Sequence, residues 1–283
     1  MAEASAPASA ANLGPGFDTL ALALELRCRV VAETSAHWQV DHLGRHHPGP
    51  ASQDAVLAAA QLAVGTERTL RLTVSSEIPV ARGLGSSAAA NAAGALAAWR
   101  ATGVEPDLQR VFELVAGLEG HADNAAAAVF GGLQAVTIGD GAHRLALHPA
   151  LLPVVAVPES ELLTRDARAA LPGTFARQVL VRSLQRTVAL VEGLRTADPG
   201  LLAAAAGDEI HEKPRTELNP VAAQLIEAAR AAGALFACWS GAGPSVLAMA
   251  PVSRRPEIEG AMASVLDGGG LVLSPGMAHS GVE

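Results

Sequence analysis

The sequence predicts an α+β protein. Stretches with β-branched content or apolar–polar alternation recur at 26–34, 69–76, 131–138 and 152–158, and again in "LFACW" and "VLAMA". Capped, helix-forming stretches lie among them. The two kinds follow one another without the regular βαβ rhythm that builds a doubly wound sheet.

In chain order, "LRCRVVAET" (26–34) reads as a strand. "SQDAVLAAAQLAVG" (52–65) reads as a helix, with Ser52 as N-cap and Gly65 as its stop. "TLRLTVSS" (69–76) is strand-like. Residues 86–101 predict a helix capped by Ser86 or Ser87 and stopped near Gly103. A helix from Asp107 to Leu118 places Leu108, Val111, Phe112, Val115 and Leu118 on one face. "GGLQAVTI" (131–138) and "LPVVAVP" (152–158) are strands. Turn residues fill 139–150, the predicted junction between domains 1–148 and 149–283. Helices near 177–195, 200–212 and 220–232 follow, and the two further strands close the second half.

Half of the residues are apolar, enough for a sizeable core, although much of this is alanine, which favours helices more than it buries area. The net charge is −8 and basic residues are scattered, which argues against a nucleic-acid or anionic-membrane partner. Cys28 and Cys238 are too few and too far apart for a disulfide framework or a zinc pattern. "MAEASAPASAANLGPGFD" lacks the basic head and apolar core of a signal peptide. No stretch of about 18 residues is apolar enough for a membrane helix. A cytoplasmic protein is expected.

"IPVARGLGSSAAANAAG" joins two glycines to two serines that open a helix. The glycines allow positive φ or close approach of a ligand. Free N–H groups and the helix dipole attract anions. On these features alone the stretch fits a triphosphate loop and an ordinary turn with a helix cap equally well. A P-loop NTPase is excluded, because that pattern needs Gly-Lys-Ser/Thr and the single lysine of the chain is Lys213. The dinucleotide fingerprint fails at Ala88.

Three separated segments carry a resemblance. "SAANLGPGFDTLALAL" (9–24), "PVARGLGSSAAA" (79–90) and "SGAGPSVLAM" (240–249) resemble the three motifs of the GHMP small-molecule kinase superfamily. The Ala-Asn-Leu-Gly-x-Gly-Phe-Asp form of the first resembles the homoserine kinase family. "EGHADNAAAAVFGG", "ELLTRDARAALP" and "DEIHEKPR" are similar to that family's substrate segments. The resemblance spans residues 9–249. It implies a ribosomal-protein-S5-domain-2-like N-terminal domain, a ferredoxin-like C-terminal domain, and ATP-dependent phosphorylation of the hydroxyl of L-homoserine with Mg²⁺. A homodimer is also implied.

In that reading the loop residues Pro79, Ala81, Arg82, Gly83, Leu84, Gly85, Ser86, Ser87 and Ala88 surround the phosphates. The resemblance makes Ser87 a magnesium ligand with Glu113 as its carboxylate partner, and Glu119 is the rival. From helix spacing alone Glu113 is a surface residue. Asn12 and Asp18, by themselves a turn asparagine and a capping aspartate, become a hydrogen bonder and the partner of the substrate ammonium. Arg168 and Arg215 are the carboxylate clamps, with Thr164 adding a hydroxyl. Asn124 stands where several GHMP kinases have an aspartate, and an amide cannot accept the hydroxyl proton. It is expected to orient the hydroxyl. His121 reads as a structural or substrate contact rather than a base. "SGAGPS" is expected to sit over the phosphate loop.

Two places depart from the family pattern. "HEKPR" has Lys-Pro where an aromatic is expected near the arginine, and "SQDAV" replaces an asparagine-containing helix start. Two rival functions are a GHMP kinase for another hydroxy amino acid, such as L-threonine, and a nucleotide-binding module without catalysis. The second would lack Ser87, Glu113, Asn124 or Arg215, and all four are present.

Overall fold

The computed structural model describes residues 1–48, 54–139 and 141–283. In chain order its elements are β1 (Ala2–Ala11), β2 (Leu20–Thr34), β3 (Gln39–Leu43), α1 (Ala55–Val64), β4 (Leu70–Ser76), α2 (Ser86–Ala101), α3 (Leu108–Glu119), α4 (Asp123–Phe130), β5 (Leu133–Thr137) and β6 (Gly141–Leu145). Then come β7 (Leu151–Pro158), α5 (Thr164–Ala169), α6 (Arg177–Thr196), α7 (Pro199–Ala204), α8 (Glu212–Arg215), α9 (Pro220–Ala231), β8 (Phe236–Trp239), β9 (Val246–Pro251), α10 (Arg255–Leu266) and β10 (Gly270–Leu273).

Two sheets organise these elements. The first runs β3-β4-β2-β5-β6, with β1 paired antiparallel to the long β2 and only the β3–β4 pair parallel. The second is antiparallel, in the order β10-β7-β9-β8. The last residues of the described chain leave the second half and return to the first sheet. Ser5 and Glu283 exchange backbone hydrogen bonds of 2.7 and 2.9 Å, Met277 bridges Leu24, and Val282 is buried.

The centre of the first half is α2. Ala88, Ala89, Ala92, Ala93, Ala95, Ala97 and Ala98 are all buried, so this helix is apolar almost all round, as a helix enclosed by its neighbours must be. Its small side chains let α1 come close: a Cβ on Gly94 would lie 2.8 Å from the Val56 carbonyl oxygen. Asn91 is the buried polar exception and donates to Glu119 Oε1 at 2.7 Å.

Several expectations need correction. The N-cap of α2 is neither serine but Gly85, in the left-handed conformation at φ 63°. This leaves both serine hydroxyls free of the cap. Ser52 and Gln53 lie outside the described residues; α1 is capped by Asp54, whose carboxylate accepts from the Leu57 N–H. On α3 only Val111, Phe112 and Val115 are buried, while Leu108 and Leu118 are 43 % and 38 % exposed. The turn-rich stretch after 138 forms a hairpin, with β6 paired to β5. The single helix expected over 200–212 is two short ones. Gly207 has φ 84°, and the Asp208 carboxylate starts a new turn by accepting the N–H groups of His211 and Glu212 at 2.7 and 2.9 Å.

Candidate active site

The three distant motifs meet at one cleft of about 230 Å³. The loop before α2 alternates left-handed residues, Ala81 (φ 55°), Gly83 (φ 75°) and Gly85 (φ 63°), so that it turns tightly into the helix. Gly83 is a steric requirement, since a Cβ there would lie 2.2 Å from the Ser240 carbonyl oxygen. Ser240 Oγ donates to the Gly83 carbonyl at 2.8 Å, and the Ser245 N–H donates to Arg82 O at 3.3 Å. From the other side, the Gly241 N–H donates to Ala11 O at 2.9 Å and Asn12 Nδ2 donates to Gly241 O at 2.8 Å. The "SGAGPS" turn therefore pins the phosphate loop to the N-terminal motif.

The N-terminus of α2 opens into this cleft. Gly83, Leu84, Gly85, Ser86 and Ser87 line it, so the unpaired amides of the first helical turn and the positive end of the dipole face the space. Ala88 follows, fully buried. Pro79 is buried outside the cleft, and Arg82 is a correction: its guanidinium turns away to Glu161 (3.1 Å) and Val80 O (3.2 Å) instead of facing the loop amides. A second groove of about 710 Å³ continues past Val80, Ala81, Ser86 and Ser87 between β2, β4 and α1, with Cys28, Val56, Val74 and Ala90 on its walls.

Glu113 is the second correction. It sits on the exposed side of α3, where Gln109 Nε2 donates to it at 3.0 Å, and it does not line the cleft. Glu119 occupies the expected place. It ends α3, accepts from Asn91, and accepts a short hydrogen bond from Ser87 Oγ. A separation of six residues turns an α-helix by about 240°, which puts 113 and 119 on different faces. Among the described residues no cluster of three or more His, Cys, Asp or Glu could hold a metal alone. A hydroxyl and a carboxylate beside a phosphate loop nevertheless fit Mg²⁺, a hard cation that takes few protein oxygens and fills its shell with phosphate and water.

Opposite the loop lies a charged wall. Asn12, Leu13 and Asp18 are all left-handed, at φ 70°, 42° and 50°. Asn12 Oδ1 accepts from the Asp18 N–H at 3.0 Å, which fixes the Asp18 backbone. The Asp18 carboxylate is held by both terminal nitrogens of Arg168, at 3.0 and 2.6 Å. Arg168 and Thr164, one helical turn apart on α5, both line the cleft.

Arg215 also lines the cleft, from the buried side. It donates to Ala167 O (3.2 Å), Gly241 O (3.2 Å) and His211 Nδ1 (3.0 Å). Burial pushes its pKa down to about 10, which leaves it a cation at neutral pH. Burial also pushes His211 down to about 4. The neutral ring donates from Nε2 to Gly14 O at 2.8 Å and so presents Nδ1 to the arginine. The aromatic missing beside Arg215 in "HEKPR" comes from the first motif: Phe17 stacks on His211 (5.2 Å) and lies 5.6 and 5.7 Å from the guanidinium carbons of Arg168 and Arg215.

Asn124 and His121 stand between the loop and the charged wall. His121 Nδ1 hydrogen-bonds the buried Asp123 at 2.9 Å, and this bond raises the ring's pKa against the opposing effect of burial. Such a ring holds its proton more tightly and is better suited to donate than to act as a base.

Behind the wall, Glu212 accepts from the Trp239 N–H at 2.7 Å, and burial raises its pKa to about 8. Its folded value is above the unfolded one, so between those values the folded state binds more protons and stability falls as pH rises. Glu212→Gln keeps the acceptor oxygen and cannot ionise. Thermal denaturation is expected to match the parent near pH ~5 and to exceed it by about 2–10 °C near pH ~9. A difference that does not change with pH would show that the side chain is ionised in the folded protein.

Phe17, Asn91, Asp123, His211 and Glu212 shape the site but were not singled out from the sequence. Asn91 had a readable signal, as a polar residue inside an alanine helix. Phe17, His211 and Glu212 depend on contacts across long chain separations that no local pattern reveals, whereas Asp123 acts on its near neighbours His121 and Asn124.

A lysine-free phosphate loop that opens a helix and is pinned by a glycine turn from the second half is the site that the resemblance to the GHMP kinases implies, and the chain belongs to that superfamily. The family models for the GHMP kinases N terminal domain and the GHMP kinases C terminal match residues 53–132 and 190–268. Within that superfamily the chain belongs to the homoserine kinases. It is 38 % identical to a homoserine kinase of Synechocystis sp. over 90 % of this chain and 87 % of the relative. It is 39 % identical to a homoserine kinase of Deinococcus radiodurans over 86 % and 82 %. The crystal structure of homoserine kinase from Cytophaga hutchinsonii superposes with a TM-score of 0.88 at 28 % identity, covering all of this chain and 96 % of that one.

Proposed function

We propose that the chain transfers the γ-phosphoryl group of ATP to the side-chain hydroxyl of L-homoserine, giving O-phospho-L-homoserine on the route to threonine. The observation that carries this reading is one cleft with a helix N-terminus open to an anion on one side and two arginines on the other, one of them paired with Asp18. Phosphoryl transfer needs positioning and charge compensation more than covalent chemistry from the protein. The amides of Gly83–Ala88 hold the phosphates, and the base and ribose take the groove beyond Ser86 and Ser87. Ser87 Oγ and the Glu119 carboxylate are the donors for Mg²⁺, which, when bound with the nucleotide, supplies neutralisation of phosphate charge.

A small zwitterion matches the wall. Its carboxylate is taken by Arg168 and Arg215 and its ammonium by Asp18, with Asn12, Thr164 and His121 completing the hydrogen bonds. The two-carbon side chain, ending in the hydroxyl, then runs towards Asn124. Residues 1–148 carry the phosphate loop and 149–283 close over it, a division supported by the first sheet drawing its strands from 2–145 and the second from 151–273. We place the enzyme in the cytoplasm, as a homodimer without nucleic-acid or membrane partners. Among the described residues no helix is long and apolar enough to cross a membrane.

The test is magnesium-dependent ADP release with L-homoserine and L-threonine supplied separately. Turnover with homoserine, at a kcat/KM at least about tenfold above that with threonine, is expected, since each misplaced contact costs about 1–3 kcal/mol. Preference for threonine would overturn the substrate, and no ADP release with either would overturn the reaction.

A further inference from the structure

Ser9 lies in β1, three residues before Asn12, and is fully buried. Its N–H donates to Leu84 O in the phosphate loop at 3.0 Å. Its hydroxyl donates to Asn124 Oδ1 at 2.8 Å. Gly85 packs against both groups: a Cβ there would lie 2.1 Å from Ser9 Oγ and 2.9 Å from Asn124 Oδ1. The other hydrogen bond of Asn124 runs from its backbone N–H to Asp123 at 2.8 Å. The amide nitrogen Nδ2 is thus left without a protein partner among the described residues, on a residue that lines the cleft.

The two ends of an asparagine amide have the same size and opposite chemistry. Turning Asn124 over would place Nδ2 against Ser9 and oblige the hydroxyl to accept. Its own hydrogen would then be buried without an acceptor, at a cost of about 1–3 kcal/mol, or a bias of about 5- to 150-fold for the orientation present. We propose that Ser9 is a positioning residue that fixes Asn124 with its amide N–H₂ towards the acceptor hydroxyl. This rests on the functional reading above. So held, Asn124 donates to one lone pair of the hydroxyl oxygen and leaves the other to attack the γ-phosphorus, while the bond to the bridging oxygen breaks to release ADP and the hydroxyl proton passes to a phosphoryl oxygen. It cannot compete for the hydroxyl proton, nor can it turn its carbonyl to the anionic phosphate.

The test is a double-mutant cycle on steady-state kinetics with Ser9→Ala, Asn124→Ala and the pair, with Ser9→Thr as the variant that keeps the hydroxyl. Ser9→Ala is expected to lower kcat about 5- to 10-fold, the worth of one hydrogen bond, with KM for ATP within about twofold. Asn124→Ala is expected to lose at least as much, again with ATP binding kept. In the Asn124→Ala background, Ser9→Ala should cost nothing further, and Ser9→Thr should stay within about twofold of the parent. Should Ser9→Ala not fold, Ser9→Cys, close in size and a weak donor, carries the same expectation. Losses that add in the double variant, or a kcat unchanged by Ser9→Ala, would overturn the proposal while leaving the kinase reading intact. A parent that turns over no hydroxy amino acid would overturn both.

Discussion

Glu119→Gln is expected to reduce phosphoryl transfer by about 10²–10³-fold, whereas Glu113→Gln leaves it within about twofold. Glu119 is 11 % exposed at the end of α3 and receives hydrogen bonds from both Ser87 and Asn91. An amide of the same shape keeps the fold of that corner but removes the negative charge that draws a hard cation to the phosphate side of the cleft. Glu113 points to solvent from another face of the same helix. The check is initial velocity against Mg²⁺ concentration at saturating ATP. The Glu119 variant should need more Mg²⁺ and still not recover the parent rate. Equal losses in the two variants would return the role to Glu113 or to neither.

Arg215→Lys is the second large effect. Three neutral acceptors, Ala167 O, Gly241 O and His211 Nδ1, hold the guanidinium in a buried position at the cleft. A lysine brings the same charge as a flexible point and cannot satisfy that planar arrangement while also meeting a carboxylate. The expected loss in kcat/KM for homoserine is about 10²-fold, carried mainly by KM, because a clamp on the amino-acid head binds ground state and transition state alike. KM for ATP should change little. The penalty should largely vanish for the amino alcohol that lacks the carboxylate. A loss confined to kcat, or shared equally with ATP, would show that Arg215 acts on the phosphates instead.

The fold class was legible because its signals are local: β-branched runs, helix periodicity and glycine stops mark about half of the elements within two or three residues, whereas β2 begins six residues before its β-branched run and the alanine- and serine-rich β1 carries no such signal. Errors fell where a capping carboxylate or a distant contact decides the outcome. Asp208 breaks the helix expected over 200–212 by capping a new turn, and Gly85 displaces the serines as cap because Ser9 and Asn124 press on it from other strands and helices. The site shows the same division. Its glycines and serines can be read in order along the loop. Helix spacing reads Glu113 correctly as a surface residue, and it is the resemblance that places it at the magnesium; the position of Glu119 beside Ser87 depends on how the end of α3 packs, which no local pattern gives. The direction of Arg82 and the pairing of Asp18 with Arg168 are settled by neighbours about 80 and 150 residues away, beyond any local periodicity.

β1 leaves the ribosome long before residues 276–283, the segment that covers part of it. Ser5 waits for Glu283, and the Val129–Phe130 backbone waits for Gly281, whose Cβ position would meet it at 2.0 Å. Until residues 276–283 emerge, the strand bearing Ser9 has an uncovered side, open to pairing with other chains. The nascent chain can therefore form its helices early, but the strand that carries Ser9 is covered only once residues 276–283 have been made.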